Sequence, residues 1–466
     1  QERDRVRVTL EVARDAGFKN VVLRRDVAVS RLRDHTVKAR VGGLAPDQRY
    51  WYRFATKTTS SAVGRTQTAP PPDSRRPIRV GYFSCQDWES GYYGVYRKLL
   101  DLDCDVVVCG GDYVYERSYE LTDGYGGVRK DRNGDGPNFA ARTINHYRGK
   151  YRLYRTDEDL RELHRLVPLV AQWDDHEVTD NYVGPMDDPK APADDGADDD
   201  RFDRNRILSG WRAWHEYMPA LRFGKTYRTY RSLRFGRNVE LFMLDQRSYR
   251  DDQPCGGASF VNCADAATPR KYLGSDQMEW VKSGLQTTDA NWKFVGNQLM
   301  IMPLDLAPGI SAGVDSWDGY LAERRELCSH IERRGVKDVV FLTGDIHTFF
   351  AGEVLRDGRE GPSVATEFVG GSTTSNGTSQ VISQTAGGVV PPDIVKLGTD
   401  QAPIVNSWMA YAETRAHGAA FFQVTEGEVA AQYLASRDIT TKQGSADVRV
   451  LKRFRVARGV PRVDVL

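Results

Sequence analysis

The sequence predicts an α/β protein with a small antiparallel β-domain in front of it, and three observations carry that reading. Beyond residue 77 the pattern runs strand, helix, strand, with candidate strands over 78–84, 105–109, 168–172, 239–244, 292–301, 336–342 and 364–369. Candidate helices over 92–102, 141–166, 275–285 and 319–334 fall between them. The strands are apolar along their whole length, so both of their faces must be covered, by helices or by a second sheet. The first 70 residues instead alternate apolar and polar side chains, the two-residue period of strands with one wet face.

The N-terminal part, 1–70, contains Val6-Arg7-Val8-Thr9-Leu10 and Tyr50-Trp51-Tyr52-Arg53-Phe54. The turn Leu44-Ala45-Pro46-Asp47 feeds the second of these, as in fibronectin-III-like sandwiches. Residues 69–77 hold Pro70, Pro71, Pro72 and Pro77, which forbid regular ladders and stiffen a junction. The remainder, 77–466, reads as a three- or four-layer domain whose strands end on one loop-bearing edge, followed by a short C-terminal tail. Residues 187–203 hold eight Asp among Ala, Pro and Gly. A solvated loop explains them, with a lid or calcium-binding loop as the alternative.

Composition bounds the partners. The 65 basic and 64 acidic residues nearly cancel, so no field of one sign draws the molecule to nucleic acid, and no stable nucleic-acid partner is expected. No stretch approaches the roughly 18 uninterrupted apolar residues of a spanning helix. Cys255 and Cys263 lie in a loop rich in turn formers, which predicts a disulfide, with two free thiols as the alternative. A disulfide and a start at Gln1 without Met both point to a matured, secreted protein, expected as a monomer. Cys104 and Cys109 stand five residues apart on opposite strand faces and should not pair. Cys109 and Cys328 read as small core residues.

Four strands deliver metal-ligand side chains at their C-terminal ends. Gly110-Gly111-Asp112-Tyr113-Val114-Tyr115 offers a carboxylate on a tight turn and a phenol three residues later. Cys85 ends the preceding strand, 27 residues before Asp112, which a right-handed βαβ unit makes adjacent. Asp174-Asp175-His176-Glu177 packs three carboxylates and an imidazole into four residues, which no core tolerates unpaired. Asp345 and His347 stand two apart, so both point the same way from an extended backbone. Thiolate and phenolate suit a trivalent iron, whereas oxygen ligands alone suit harder cations. Weaker candidates are Asn297, Gln298, Asn181 and Asp245. Arg247 and Arg250 are candidates to clamp phosphate oxygens, with an ion pair as the equal alternative.

These segments resemble the PhoD-like alkaline phosphatases and phosphodiesterases, within the calcineurin-like and purple acid phosphatase-like metallophosphoesterases. Ser84-Cys85, Gly111-Asp112-Tyr113-Val114-Tyr115, Trp173-Asp174-Asp175-His176-Glu177, Leu244-Asp245-Gln246-Arg247, Leu273-Gly274-Ser275-Asp276-Gln277 and Gly344-Asp345-Ile346-His347 occur in the family's order. The resemblance implies a metallophosphoesterase-like sandwich of two mixed β-sheets flanked by helices. It implies Fe3+ held by Cys85, Asp112, Tyr115 and His347. It also implies a second, divalent metal (Ca2+, Zn2+ or Mn2+) held by Asp112, Asp175 and Asp345 with Asn297. The family's usual Ser-Gly-Asp-Pro opening is missing from this sequence, so a truncated N-terminal sandwich is expected.

The expected function is hydrolysis of phosphate esters by a metal-bound hydroxide, because cations neutralise phosphate charge and acidify water. His176 is the candidate to protonate the leaving group and Arg247 the candidate substrate-binding residue. The alternative within the enzyme class is a phospholipase D in transient contact with a membrane surface. Trp88, Tyr92, Tyr93, Tyr119 and Tyr125 would then form its apolar entrance, or else they are core. A reading from another class, a non-catalytic metal- or carbohydrate-binding protein, would require lost ligands, and every expected ligand type is present.

Overall fold

The structure, a computed structural model, describes residues 5–118, 127–131, 139–184, 203–220, 227–257, 260–261, 263–307, 310–385, 395–396 and 399–466. The acidic segment apart from Asp203, together with Tyr119 and Tyr125, lies outside the described residues.

The N-terminal alternation forms β1 (Arg5–Ala13), β2 (Val21–Ser30), β3 (Arg49–Ala55) and β4 (Gly64–Gln67). They make one antiparallel sheet in the order β2-β1-β3-β4. Where a two-sheet sandwich was expected, the described residues hold this single layer. Leu10, Val12 and Tyr50 of its apolar face pack against Ala39, Val41 and Leu44 of the β2–β3 connection. The junction is pinned from both sides: Arg76 pairs with Asp47 at 2.7 Å and with Asp105 at 3.0 Å. Asn238 Nδ2 also donates to the carbonyls of Arg75 and Arg76.

Two seven-stranded mixed sheets follow. The first joins β5 (Ile78–Phe83), β6 (Val106–Cys109) and β7 (Leu169–Ala171) to β18 (Gly418–Val424), β19 (Glu428–Ser436), β20 (Val448–Ala457) and β21 (Asp464–Val465). Its order is β21-β20-β19-β18-β5-β6-β7, with β5, β6 and β7 parallel. The second contains β8 (Arg231–Phe235), β9 (Val239–Met243), β11 (Trp292–Asn297), β14 (Val339–Thr343), β15 (Phe349–Leu355), β16 (Ser363–Gly370) and β17 (Met409–Glu413). Its order is β17-β15-β16-β14-β11-β9-β8, with β9, β11, β14 and β16 parallel. A small sheet of β10 (Phe260–Val261), β12 (Leu304–Ala307) and β13 (Ile310–Ala312) completes the strands.

Alternation explains why strands this apolar stack into four layers. Val106 and Val108 face the space between the sheets, where they share a core with Leu241, Phe294, Val340 and Leu342. Val107 and Cys109 face the other way. There they meet α1 (Val95–Asp101), α2 (Ile144–Tyr154), α3 (Glu158–Leu166) and α4 (Arg204–Tyr217). In β14 the same split sends Phe341 and Val339 outward to α5 (Ser275–Thr287) and α6 (Leu321–Arg333). Each such side chain contributes about 1.5–3 kcal/mol on leaving water.

Two expectations are corrected. The single helix over 141–166 is two, because the Asp157 carboxylate accepts the N–H groups of Asp159 and Leu160 and starts α3 as its N-cap. The stretch after Thr440 is no tail: β20 and β21 continue the first sheet. Arg449, Arg453 and Arg455 are the wet face of a strand whose Phe454 and Val456 are buried, so the basic residues hid a strand period.

Candidate metal centre

Parallel β5, β6 and β7 of one sheet and β9, β11 and β14 of the other all discharge their chains at one rim, the edge where α/β sheets bind ligands. There the backbone turns sharply. Cys85, Asp112, Asp345 and His347 all have φ between 52° and 66°, the left-handed region that L-residues rarely adopt. Four strained residues at three strand ends, those of β5, β6 and β14, aim their side chains at one volume, as functional sites do. Gly110 lets the chain pass there: a Cβ on it would lie 2.0 Å from Tyr82 Oη. Gly111, with φ of 119°, sits where a Cβ would lie 2.5 Å from Asp174 Cβ.

Of the seven expected ligands, all but Asn297 fall into overlapping groups. Ligand atoms of Cys85, Asp112 and His347 lie within 4.8 Å of one another. The Tyr115 hydroxyl joins them, 3.2 Å from Asp112 Oδ2 and 3.0 Å from His347 Nε2. His347 Nδ1 donates to the Asn376 carbonyl at 2.9 Å, which leaves the lone pair on Nε2 aimed at the cluster. Asp112 belongs as well to a second group with Asp175 and His176, and Asp175 to a third with Asp174 and Asp345. Asp112 is thus the shared carboxylate between two groups.

Charge shows what the donor set is built for. Burial pushes the Cys85 thiol and the Asp112 and Asp174 carboxyls well above their usual ranges, and Asp345 up to about 7. Burial opposes the charge on Asp175 too, but the guanidinium of Arg247 and the imidazole of His176 hold it low. Asp174 Oδ2 is buried with no hydrogen-bond partner. A thiol, a phenol, an imidazole with its lone pair presented and a surplus of buried carboxylates fit metal cations, which would replace the protons these acids otherwise keep.

Arg247 is not where a substrate clamp should be. Its side chain is wholly buried, with Nε 2.5 Å from Asp174, Nη1 2.6 Å from Asp315 and Nη2 2.9 Å from Asp345. With Asp175 also 3.5 Å from Nη2, one guanidinium braces four carboxylates, and its fork geometry is why it is an arginine. Arg250 is committed likewise to Asp315 and to the carbonyls of Asn181 and Tyr182. Asn297 stands apart from the ligand groups. Its Nδ2 donates to Leu299 O and Thr343 Oγ1, and its Oδ1 accepts from Trp317, so both ends are spent inside the fold. Gln298 and Asp245 are tied up in the same way, Gln298 to the carbonyls of Trp173 and Leu244 and Asp245 to Trp173 and Thr229. Asn181 lends Oδ1 to Arg247 at 3.3 Å and its backbone N–H to Asp175 at 2.7 Å.

His176 holds no place in the thiol-bearing group. Its ring stacks on Tyr115 at 4.2 Å, and Nδ1 lies 2.8 Å from Glu116 Oε2. Burial would favour the neutral ring, but the charges of Glu116, Asp175 and Asp112 push its pKa well above the usual value. Glu116, Asp315 and Ser375 escaped the sequence reading. Glu116 directly follows Tyr115, and that one-residue step was the available signal; Asp315 and Ser375 lie in polar loops that read as ordinary turns. Trp88, Tyr92 and Tyr93 surround the Arg129 guanidinium at 4.5, 4.8 and 4.7 Å, with Tyr93 fully buried. Tyr93 is thus core, one of the two uses expected for these aromatics, whereas Trp88 and Tyr92 are half-buried beside the cation they share with it.

Residues 80–433 match the PhoD-like phosphatase family, and residues 1–70 match the PhoD-like phosphatase N-terminal domain. Alkaline phosphatase D of Bacillus subtilis (strain 168) is 32% identical over 383 residues, which are 80% of this chain and 64% of that protein. The chain spans just under two thirds of the length of that curated relative. The solved structure of PhoD superposes with a TM-score of 0.86 at 27% identity, covering 100% of this chain and 86% of that one. The purple acid phosphatase PPD1 from yellow lupin (Lupinus luteus) seeds shares the fold, with a TM-score of 0.58 at 11% identity over 98% of this chain and 70% of that one.

Proposed function

Because this chain belongs to the PhoD-like phosphatase family, we propose that it hydrolyses phosphate monoesters and diesters at a centre of ferric iron and a divalent metal. One observation carries the reading: the donors of Cys85, Asp112, Tyr115 and His347 converge, and Asp112 also belongs to a carboxylate group with Asp175. Thiol and phenol at one end suit Fe3+, and the oxygen-rich end of Asp112, Asp175 and Asp345 suits Ca2+, Zn2+ or Mn2+. Cations bound there would neutralise the phosphate oxygens and lower the pKa of water.

The chain's own residues supply orientation and a proton. Arg247 braces Asp174, Asp175 and Asp345, so their carboxylates stay gathered against mutual repulsion. Glu116 accepts from Nδ1 of His176 and favours the imidazolium. His176 then gives a proton to the departing alkoxide, the step a phosphate ester with a poor leaving group needs most. The Cys255–Cys263 disulfide supports a secreted protein, since such bonds persist in oxidising compartments.

Elemental analysis, a visible spectrum and three substrates test the proposal together. About one iron per chain, a second metal, and turnover of an aryl phosphomonoester and an aryl phosphodiester are expected. A metal-replete protein that hydrolyses neither ester sinks it. Turnover of phosphatidylcholine alone would move the assignment to a phospholipase D.

A further inference from the structure

The Tyr115 hydroxyl has a third neighbour that is no candidate ligand. Ser375 Oγ lies 2.7 Å from it, and Ser375 is only 3% exposed. Ser375 belongs to the segment after β16, which is laced to the Cys85 loop. The N–H of Thr373 donates to Ser84 O at 3.0 Å, Thr374 Oγ1 donates to Asp87 O at 2.6 Å, and the N–H of Ser375 donates to Cys85 O at 3.3 Å. The next residue, Asn376, supplies the carbonyl that sets the His347 tautomer. Two consecutive residues therefore address two members of the thiol-bearing group.

Ser375 has one hydroxyl proton and two acceptors, Tyr115 Oη at 2.7 Å and Cys85 O at 2.9 Å. The N–H of Asp87 points at the Ser375 oxygen at 3.3 Å, which leaves that oxygen's own proton to be given forward. A hydrogen bond to an anionic oxygen is about twice as strong as one to a neutral carbonyl. A phenolate at Tyr115 thus takes the proton in preference to the Cys85 carbonyl.

We propose that Ser375 is a positioning residue for the iron site, donating its hydroxyl hydrogen to the Tyr115 oxygen and setting how strongly that oxygen donates to the metal. The inference rests on the ferric phenolate reading above. Outer hydrogen bonds of this kind orient a ligand and tune its donor strength. The bond draws electron density away from the phenolate and raises the energy of its charge-transfer absorption.

The test compares the iron-loaded wild type with Ser375→Ala and Ser375→Thr by elemental analysis, visible absorption and resonance Raman of the tyrosinate modes. Ser375→Ala should keep its iron while its absorption maximum moves to longer wavelength by on the order of 10–30 nm, and Ser375→Thr, which keeps the hydroxyl, should stay near the wild type. Iron lost from the Ala variant and kept by the Thr variant supports the same role. An unmoved band in Ser375→Ala, or equal loss of iron from both variants, overturns the inference and leaves the ferric phenolate reading standing. An iron-loaded wild type without tyrosinate modes overturns both.

Discussion

The carboxylate of Glu177 accepts the backbone N–H of Asp112 at 3.1 Å, and through it two loops from different strands are stapled together. The same carboxylate accepts the N–H of Tyr113 at 2.8 Å and that of Asp174 at 2.8 Å. Three backbone donors converge on one fully buried side chain, so the turn after β6 and the turn after β7 cannot drift apart. Glu177→Gln removes this symmetry of acceptors, because its NH2 must face at least one backbone N–H. With charged hydrogen bonds contributing about 1.5–3 kcal/mol each, the variant should lose thermal stability and most of its bound metal. Elemental analysis and a melting curve check this; wild-type metal content in Glu177→Gln would remove the staple from the site's architecture.

Much of this centre was legible because its ligands sit where apolar strands stop. Phe83, Cys109, Ala171 and Thr343 end β5, β6, β7 and β14, and Cys85, Asp112, Asp175 and Asp345 follow each within a few residues. The period-two core of the strands forces that punctuation, so it shows in sequence. What stayed hidden depends on distance across the fold. Nothing in Leu244-Asp245-Gln246-Arg247 says that its guanidinium will meet Asp174, Asp315 and Asp345, and a lone arginine at a rim reads as a phosphate clamp. Asn297 followed a strand as the ligands do, yet Trp317 and Thr343 consume its polar atoms. The β20 strand was missed because its wet face is basic rather than mixed.

Arg247 has no exposed surface, so its loss leaves buried carboxylates without a counter-charge. Breaking such an arrangement costs about 3–5 kcal/mol. Arg247→Ala should fold poorly or lose its divalent metal, and Arg247→Lys, whose single ammonium cannot span four carboxylates, should fall between. KM for an aryl phosphodiester, measured on the metal-loaded fraction of Arg247→Lys, should stay within about threefold of wild type. A large rise in KM at full metal content would restore the arginine to substrate binding.

His176 and Glu116 form the pair best separated from metal retention. His176→Ala should keep its iron and lose about 10²- to 10⁴-fold in kcat on alkyl esters, where the leaving group needs a proton, and less on esters with acidic aryl leaving groups. Glu116→Gln keeps the contact at Nδ1 but weakens the imidazolium, so a loss of about 10- to 100-fold is expected. Equal losses on alkyl and aryl substrates would argue against proton donation by His176.

Lys38 carries a prediction about the joint between the two parts of the chain. Its Nζ donates to the carbonyls of Met218 and Ala220, both at 2.6 Å, in a largely buried position. Burial first, then the charge of Arg155, lowers its pKa to about 8. In the unfolded chain it titrates at about 10.4. Between those values the unfolded state binds more protons than the folded one, so this group's contribution to stability rises as pH climbs from about 8 toward 10.4. At neutral pH the buried ammonium is a cost, offset by its two carbonyl partners. Lys38→Met should therefore flatten the pH dependence: the stability of the wild type relative to the variant should grow between pH 7.5 and 10. After discounting for solvent at the partly open joint, roughly 1 kcal/mol is expected. Denaturant melts of both proteins across that range measure the difference directly, and parallel curves would show that Lys38 titrates as a surface lysine does.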